Sequence, residues 1–193
     1  MLLTAILLTP GVAIRWAWIV FGLYWLVSAF GQKKTKRSES RLSRLSYTLP
    51  LFLAVALLAL PKAHRNWLGY PFIPINPTTE WIGASVTLAG LLLAVWARRS
   101  LGRNWSAMVT LKEGHELIGS GPYRRIRHPI YTGILLAFLG TAIAIGRVGG
   151  LIAFAIECAS FWTKARREEA FLAQEFGAQF EAHRKRTGMF LPK

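Results

Sequence analysis

Aspartate is absent from this 193-residue chain, and acidic residues of any kind are few. All nine acidic residues are glutamates, against 24 lysines and arginines, and the formal net charge is +15. Cysteine occurs once, as Cys158 within an apolar run, so a single chain forms neither a disulfide nor a thiolate metal site. His64, His115 and His183 lack a metal-ligand spacing, and we therefore expect no metal. Nucleotide-binding glycine patterns are also missing.

Long apolar blocks make up most of what is present. The chain is 53% hydrophobic with a mean hydropathy of +0.34, which is too apolar for an ordinary soluble domain. We predict an all-α integral membrane bundle of about five transmembrane helices, with residues 1–11 as a short lead-in. The predicted spans cover residues 13–30, 46–60, 79–97, 129–145 and 150–162. The last two are short, so they form a tight hairpin or extend into flanking helix.

Basic residues are concentrated in alternate connections between the spans. The loop 31–45, the segment after the third span and the C-terminal tail are rich in Lys and Arg, whereas the other two loops hold Lys62, Arg65 and Arg147. The positive-inside rule then predicts an external N-terminus and a cytoplasmic C-terminus. The same pattern favours anionic lipid head groups over nucleic acid as partners, with 31–45 as a solvated connection.

The chain divides into an N-terminal half, residues 1–97 with three spans, and a half that we expect to be catalytic, residues 98–193. In the second half, the glycines around Gly121-Pro122 predict a chain reversal, and Pro129 predicts the first residue of a helix. Arg127 and His128 would flank that helix N-terminus, where a carboxylate is favoured. With Tyr131 they are expected to be functional. Arg124 and Arg125 more simply touch lipid phosphates.

The tail supplies a second group of candidate residues. Apolar residues recur there at helical spacing, namely Phe161, Ala165, Leu172, Phe176 and Phe180. Glu168 and Glu169 interrupt this stripe, which suits a bound cation, an amine or ribose hydroxyls. A Lys164–Glu168 pair could instead only stabilise the helix. Glu157 lies within the fifth span, either as a functional group or as a protonated hydrogen-bond donor between helices.

The pattern Gly-Pro-Tyr-x-x-x-Arg-His-Pro-x-Tyr-x-Gly at 121–133, followed by the Glu168-Glu169 pair, resembles the isoprenylcysteine carboxyl methyltransferase family and its phospholipid N-methyltransferase relatives. The upstream stretch at 101–106 is also similar. The resemblance implies S-adenosylmethionine bound on the cytosolic side, with S-adenosylhomocysteine as product. It implies these cofactor-site positions: Gly121, Pro122, Tyr123, Arg127, His128, Pro129, Tyr131, Glu168, Glu169 and Leu172.

The family also has an arginine just upstream of the Glu pair that is implicated in positioning the substrate. Lys164 stands at that position here, with Arg166 and Arg167 close by, and we take Lys164, Arg167 and Glu169 as catalytic candidates. The implied reaction is methyl esterification of an α-carboxylate on a lipophilic acceptor that enters from the bilayer. Alternatives are a phospholipid amine, a small lipophilic thiol, an NADPH-dependent sterol-type reductase with a related Arg-His-Pro-x-Tyr stretch, and a non-enzymatic membrane protein.

Overall fold

Apolar helices build the fold. This computed structural model describes residues 9–30, 33, 35–59, 67–106, 108–112, 114 and 116–193, and within them there are six α-helices. They are α1 (Pro10–Ser28), α2 (Arg41–Ala59), α3 (Pro77–Leu101), α4 (Pro129–Ile145), α5 (Val148–Phe176) and α6 (Ala178–Arg186). By length and composition α1, α2, α3 and α5 can cross a membrane, and α4 is a shorter apolar helix. The predicted all-α membrane bundle is confirmed.

A small antiparallel ribbon, which was not predicted, lies at one end of the bundle. Its strands are β1 (Thr35–Ser38) and β2 (Thr110–Lys112). β1 and the first turns of α2 fall inside the stretch 31–45, for which we expected a solvated connection. The predicted start of the second span near residue 46 was wrong, because α2 begins at Arg41, and part of the connection has regular structure, since β1 pairs with β2.

Proline marks the start of three helices. Pro129 is the first residue of α4, as predicted, and the range 129–145 agrees with the observed helix. Pro77 begins α3, where the Asn76 side chain accepts from the Thr79 N–H at 3.0 Å. Pro10 begins α1, so the lead-in predicted for 1–11 is wrong at its C-terminal end; residues 1–8 lie outside the described part.

Helix α5 extends well beyond the predicted span of 150–162. Of the two alternatives given for that short span, extension into flanking helix is observed, since α5 continues unbroken for 29 residues and carries the tail glutamates on the same helix. It ends at Gly177, whose φ of +49° favours glycine. Phe180 therefore lies on the separate helix α6, and the predicted apolar stripe is not one continuous helical face.

Glycines allow α3 and α4 to pack closely. A Cβ added at Gly90 would lie 2.5 Å from the Gly133 carbonyl oxygen, and one added at Gly140 would lie 2.4 Å from the Thr87 nitrogen. Small residues of this kind let helix backbones approach within a membrane. The contact places the start of α4 beside the end of α3, while α2 packs against α5 and α1 against α3.

The outward faces of α1 and α2 are apolar. Val27 and Phe52 are 71% and 70% exposed, and they belong to a larger set of exposed aliphatic and aromatic side chains on these helices. In water such continuous surfaces would be unfavourable, whereas lipid covers them without cost. The chain is an integral membrane protein.

Candidate active site

A cavity of about 320 Å³ opens at the end of the bundle where the ribbon lies. Side chains from α1, α2, α4 and α5, from the end of α3 and from the ribbon line it. One part of its wall is ionic, with Arg127, His128, Lys164 and Glu168. The rest is largely aromatic and aliphatic and includes these residues: Trp25, Leu51, Trp105, Ile134 and Phe161. Cavities of this size and mixed character are typical of small-molecule sites.

The ionic wall is a network between the start of α4 and the second half of α5. The Arg127 Nε donates to Glu169 Oε1 at 2.6 Å, and the His128 Nε2 lies 3.2 Å from the same oxygen. On the other ring edge, His128 Nδ1 is 3.5 Å from Glu168 Oε2. The imidazole therefore lies between two carboxylates. The sequence predicted the motif before α4 and the tail glutamates as two groups of site residues, and in the structure the two groups are in direct contact.

Burial and charge oppose each other at His128. Burial disfavours the charged imidazolium, but the hydrogen bonds and charges of Glu168 and Glu169 outweigh it, so the pKa of His128 is raised. A protonated ring donates from both nitrogens, which suits a position between two carboxylates. The network is then a compensated cluster of two cations and two anions.

Stacked aromatic rings continue this network into the cavity. The Tyr131 hydroxyl donates to Glu168 Oε1 at 2.5 Å. Its ring is stacked on His128 with centroids 5.4 Å apart, and on Phe161 at 4.5 Å. Ring contacts and one strong hydrogen bond fix the Tyr131 side chain at the cavity wall.

The C-terminal segment holds the start of α4 in place. The backbone N–H of Arg127 donates to the Gly188 carbonyl at 2.9 Å, and that of His128 donates to the Met189 carbonyl at 3.1 Å. The Thr132 hydroxyl donates to the Phe190 carbonyl at 2.8 Å. These contacts tie the residues before α4 and its first turn to the segment 188–190, no residue of which lines the cavity.

Lys164 brings a cation to the cavity from α5. It is buried, with its Nζ 4.8 Å from the centroid of the Tyr47 ring and 5.2 Å from that of Tyr131. Both distances fall within the range of cation–π attraction. Lys164 and Glu168 are one turn apart, as in the helix pair considered from the sequence, but both line the cavity.

Most of the predicted site residues line the cavity, and the others lie beside it or away from it. Those that line the cavity are Tyr123, Arg127, His128, Tyr131, Lys164, Glu168 and Leu172. Gly121 and Pro122 form the turn before them, with Gly121 at φ +57°, and Pro129 starts α4. Glu169 is buried behind His128. Arg167 does not reach the cavity, since its guanidinium donates to Ser43 and Ser46 on α2.

Several cavity residues were not expected from the sequence. Tyr47 lies on α2 within a block that was assigned as a lipid-spanning segment, and Asn104 and Val109 come from the segment that leads into β2. Glu39, which bonds to Tyr47, was also missed. A signal existed for Glu39, because it is the first acidic residue of the chain and is surrounded by basic ones.

Two further predictions concern groups outside this network. Arg124 and Arg125 are exposed, as expected for basic residues at a membrane surface.

Glu157 is completely buried, and within the described part of the chain neither carboxyl oxygen has a hydrogen-bond partner. Of its two alternatives from the sequence, the hydrogen-bond donor between helices is therefore not observed among the described residues. Among the residues that the structure describes, no group of three or more His, Cys, Asp or Glu side chains could hold a metal ion.

Comparisons with known proteins assign the family. The phospholipid methyltransferase family model matches residues 78–179. Protein-S-isoprenylcysteine O-methyltransferase B of Arabidopsis thaliana is 30% identical over 177 residues, covering 86% of this chain and 83% of the relative. A probable protein-S-isoprenylcysteine O-methyltransferase of Oryza sativa subsp. indica is 25% identical over 177 residues, with 88% and 87% covered.

A solved structure of a eukaryotic intramembrane Ras methyltransferase, an isoprenylcysteine carboxyl methyltransferase, shares the fold. The TM-score is 0.50 at 23% identity, with 78% of this chain covered. The chain spans about half the length of that protein, since the match covers 51% of it.

Fold, cavity and relatives together define an integral membrane methyltransferase. The chain belongs to the isoprenylcysteine carboxyl methyltransferase family, within the phospholipid methyltransferase family model.

Proposed function

We propose that the chain transfers a methyl group from S-adenosylmethionine to the α-carboxylate of a lipophilic acceptor in the membrane. The observation that carries the proposal is the cavity itself, whose lining combines an ionic part with His128 and Glu168 and an apolar part with side chains such as Trp25 and Phe161. Such a cavity suits a polar cofactor next to an apolar partner. The isoprenylcysteine O-methyltransferase relatives support this acceptor class.

The ionic wall fits the polar groups of the cofactor. Glu168 lines the cavity with 23% of its side chain exposed, and its carboxylate can accept from an amine or from ribose hydroxyls. Glu169 is less exposed and holds Arg127 and His128 at the start of α4. We propose that the cofactor carboxylate binds near that helix N-terminus. The whole motif from Gly121 to Tyr131 then serves the cofactor, with Leu172 on the facing helix.

Lys164 favours a carboxylate as acceptor. When bound, S-adenosylmethionine supplies an electrophilic methyl group on a sulfonium sulfur. A carboxylate attacks it without a general base, whereas an amine must also lose a proton. The ammonium of Lys164 at the cavity wall can hold and orient an acceptor carboxylate. The surrounding aromatic rings exclude water from the two partners.

Charge asymmetry supports a cytoplasmic position for this site. Basic residues flank the cavity end of the bundle, and by the positive-inside rule that end lies in the cytoplasm with the N-terminus outside. The cofactor then enters from the cytosol and the acceptor from the bilayer, which accounts for a membrane location. Thiol labelling of single-cysteine variants in sealed vesicles tests this orientation.

An acceptor screen with labelled S-adenosylmethionine tests the proposed reaction. We expect label to enter a prenylated cysteine with a free α-carboxylate and to be released by mild base, as for a methyl ester. The same compound with its carboxylate already esterified is the matched control and should take up no label. Because the matching family model is that of phospholipid methyltransferases, a phospholipid amine forms a second arm. Label in that arm alone would overturn the carboxylate assignment.

A further inference from the structure

Glu39 is a buried carboxylate in the most basic part of the chain, between β1 and α2. It is 9% exposed. Its Oε1 accepts from the Tyr47 hydroxyl and from the Val109 N–H, the latter at 3.3 Å, and its Oε2 accepts from the Ser43 hydroxyl at 2.6 Å. Three donors satisfy the carboxylate, so its burial is compensated.

Two of these donors belong to the cavity wall. Tyr47 and Val109 both line the cavity, and they are 5% and 1% exposed. The Tyr47 residue is held at two points, because its hydroxyl donates to Glu39 and its carbonyl accepts from the Ser160 hydroxyl at 3.1 Å. The hydroxyl bond anchors the tip of the ring and the Ser160 bond anchors the backbone that carries it, so the ring has little freedom to move away from the cavity.

The ring of Tyr47 contacts Lys164, whose Nζ lies 4.8 Å from its centroid. The Tyr131 ring also lies near this nitrogen, with its centroid at 5.2 Å, and is itself held by Glu168. Lys164 therefore lies near two tyrosine rings, and each tyrosine hydroxyl donates a hydrogen bond to a glutamate. This arrangement confines the ammonium, because cation–π attraction depends on the nitrogen lying over the ring face.

Arg167 connects the same cluster to α5. Its Nη1 donates to the Ser43 carbonyl at 2.6 Å and to the Ser43 hydroxyl at 2.9 Å, and that hydroxyl donates to Glu39. The start of α2 is thus fixed to α5 within one helical turn of Lys164. This contact gives Arg167 a place in the network in spite of its distance from the cavity.

We propose that Glu39 is a positioning residue, which holds the Tyr47 ring against Lys164 and so fixes the ammonium where it meets the acceptor carboxylate. The inference rests on the proposed function for the role of Lys164. It assigns Glu39 to acceptor binding rather than to cofactor binding, since Glu39 contacts none of the residues of the ionic wall at Arg127 and His128.

Steady-state kinetics separate a positioning role from a structural one. We expect Glu39→Ala to raise the KM for the carboxylate acceptor about tenfold, while kcat at saturating acceptor and the Kd for S-adenosylhomocysteine change by less than about threefold. Tyr47→Phe removes the bond to Glu39 and should act in the same direction. Glu39→Gln keeps an acceptor oxygen and should restore much of the loss. Glu181→Ala, which removes an exposed carboxylate on α6, is the matched control.

A second measurement does not depend on any acceptor. In protein labelled with 13C-lysine, the ε-protons of Lys164 should show an upfield ring-current shift from the two tyrosines, with assignment by Lys164→Arg. We expect Glu39→Ala to reduce that shift and Glu181→Ala to leave it unchanged. An unchanged Lys164 signal in folded Glu39→Ala, or a parallel loss of cofactor binding, would overturn the inference. Lack of methyl transfer by the wild type with a normal NMR response would instead contradict the proposed acceptor.

Discussion

The His128 imidazole and the Glu169 carboxylate lie 41 positions apart in the chain, and their Nε2 and Oε1 atoms are 3.2 Å apart. His128 precedes the first residue of α4, and Glu169 lies in the second half of α5. Arg127 donates to the same oxygen, so one carboxylate orients two cations beside the cavity. The contact joins the two sequence motifs that identify the family.

Removal of either partner should abolish cofactor binding. Loss of one member of a buried ionic pair leaves the other uncompensated, which costs about 3 kcal/mol or more. Because the proposed cofactor site is built on these side chains, we expect His128→Ala and Glu169→Ala each to weaken S-adenosylhomocysteine binding by at least about a hundredfold, while the protein still inserts into the membrane. Titration calorimetry measures the effect. Arg184→Ala, which removes an exposed side chain, should bind normally.

The raised pKa of His128 predicts a pH-dependent stability. Because the folded-state pKa lies above the ordinary value of 6.5, protonated His128 stabilises the fold fully below that pH. The contribution is lost as the pH rises through the folded-state pKa. The difference in melting temperature between wild type and His128→Asn should therefore shrink from about pH 6 to about pH 9. A difference that stays constant over this range would show that the ring is neutral in the folded protein.

Lys164 should act on the acceptor and not on the cofactor. Lys164→Met keeps a long apolar stem but removes the charge, so we expect kcat/KM for a carboxylate acceptor to fall about a hundredfold. The Kd for S-adenosylhomocysteine should stay within about threefold of the wild-type value. Lys164→Arg, which keeps the charge, should retain part of the activity. Equal losses in both variants would argue that the ammonium geometry, and not its charge alone, is required.

The close contact of α3 and α4 predicts a large effect of one methyl group. In Gly140→Ala, the added Cβ would lie 2.4 Å from the backbone nitrogen of Thr87, so the two helices must separate. Overpacking of this kind costs about 1–3 kcal/mol. Gly22→Ala on α1 is the matched control, because nothing lies within 4 Å of its added Cβ. Thermal unfolding in detergent should show a lower midpoint for Gly140→Ala and an unchanged or higher one for Gly22→Ala.

Local signals in the sequence were enough for the start of α4 and for the pairing of the motif with the tail glutamates. Pro129 fixes the helix start by its own geometry, and hydropathy located the apolar helices to within a few residues, apart from α5. Hydropathy did not locate the end of α5, because the helix continues from the apolar span into polar sequence, the extension given as one alternative, until its C-cap Gly177. Tertiary contacts decided the remainder, since neither the ribbon nor the burial of Glu39 follows from local pattern.

Arg167 and Tyr47 also show that the sequence alone does not reveal which residues reach the site. Arg167 is three residues from Lys164, and their order along α5 does not reveal which of them reaches the cavity. The structure directs Arg167 to α2 and Lys164 to the tyrosine rings. Tyr47 is an ordinary member of an apolar helix in sequence, and its role depends on the partner that packs against it.

Binding of the cofactor product to the purified protein tests the central claim most directly. We expect calorimetry to show one S-adenosylhomocysteine bound per chain in the wild type and none in His128→Ala, with no binding of NADPH to either. Binding of NADPH alone, or equal binding of S-adenosylhomocysteine to wild type and His128→Ala, would contradict a methyl-donor site at this cavity.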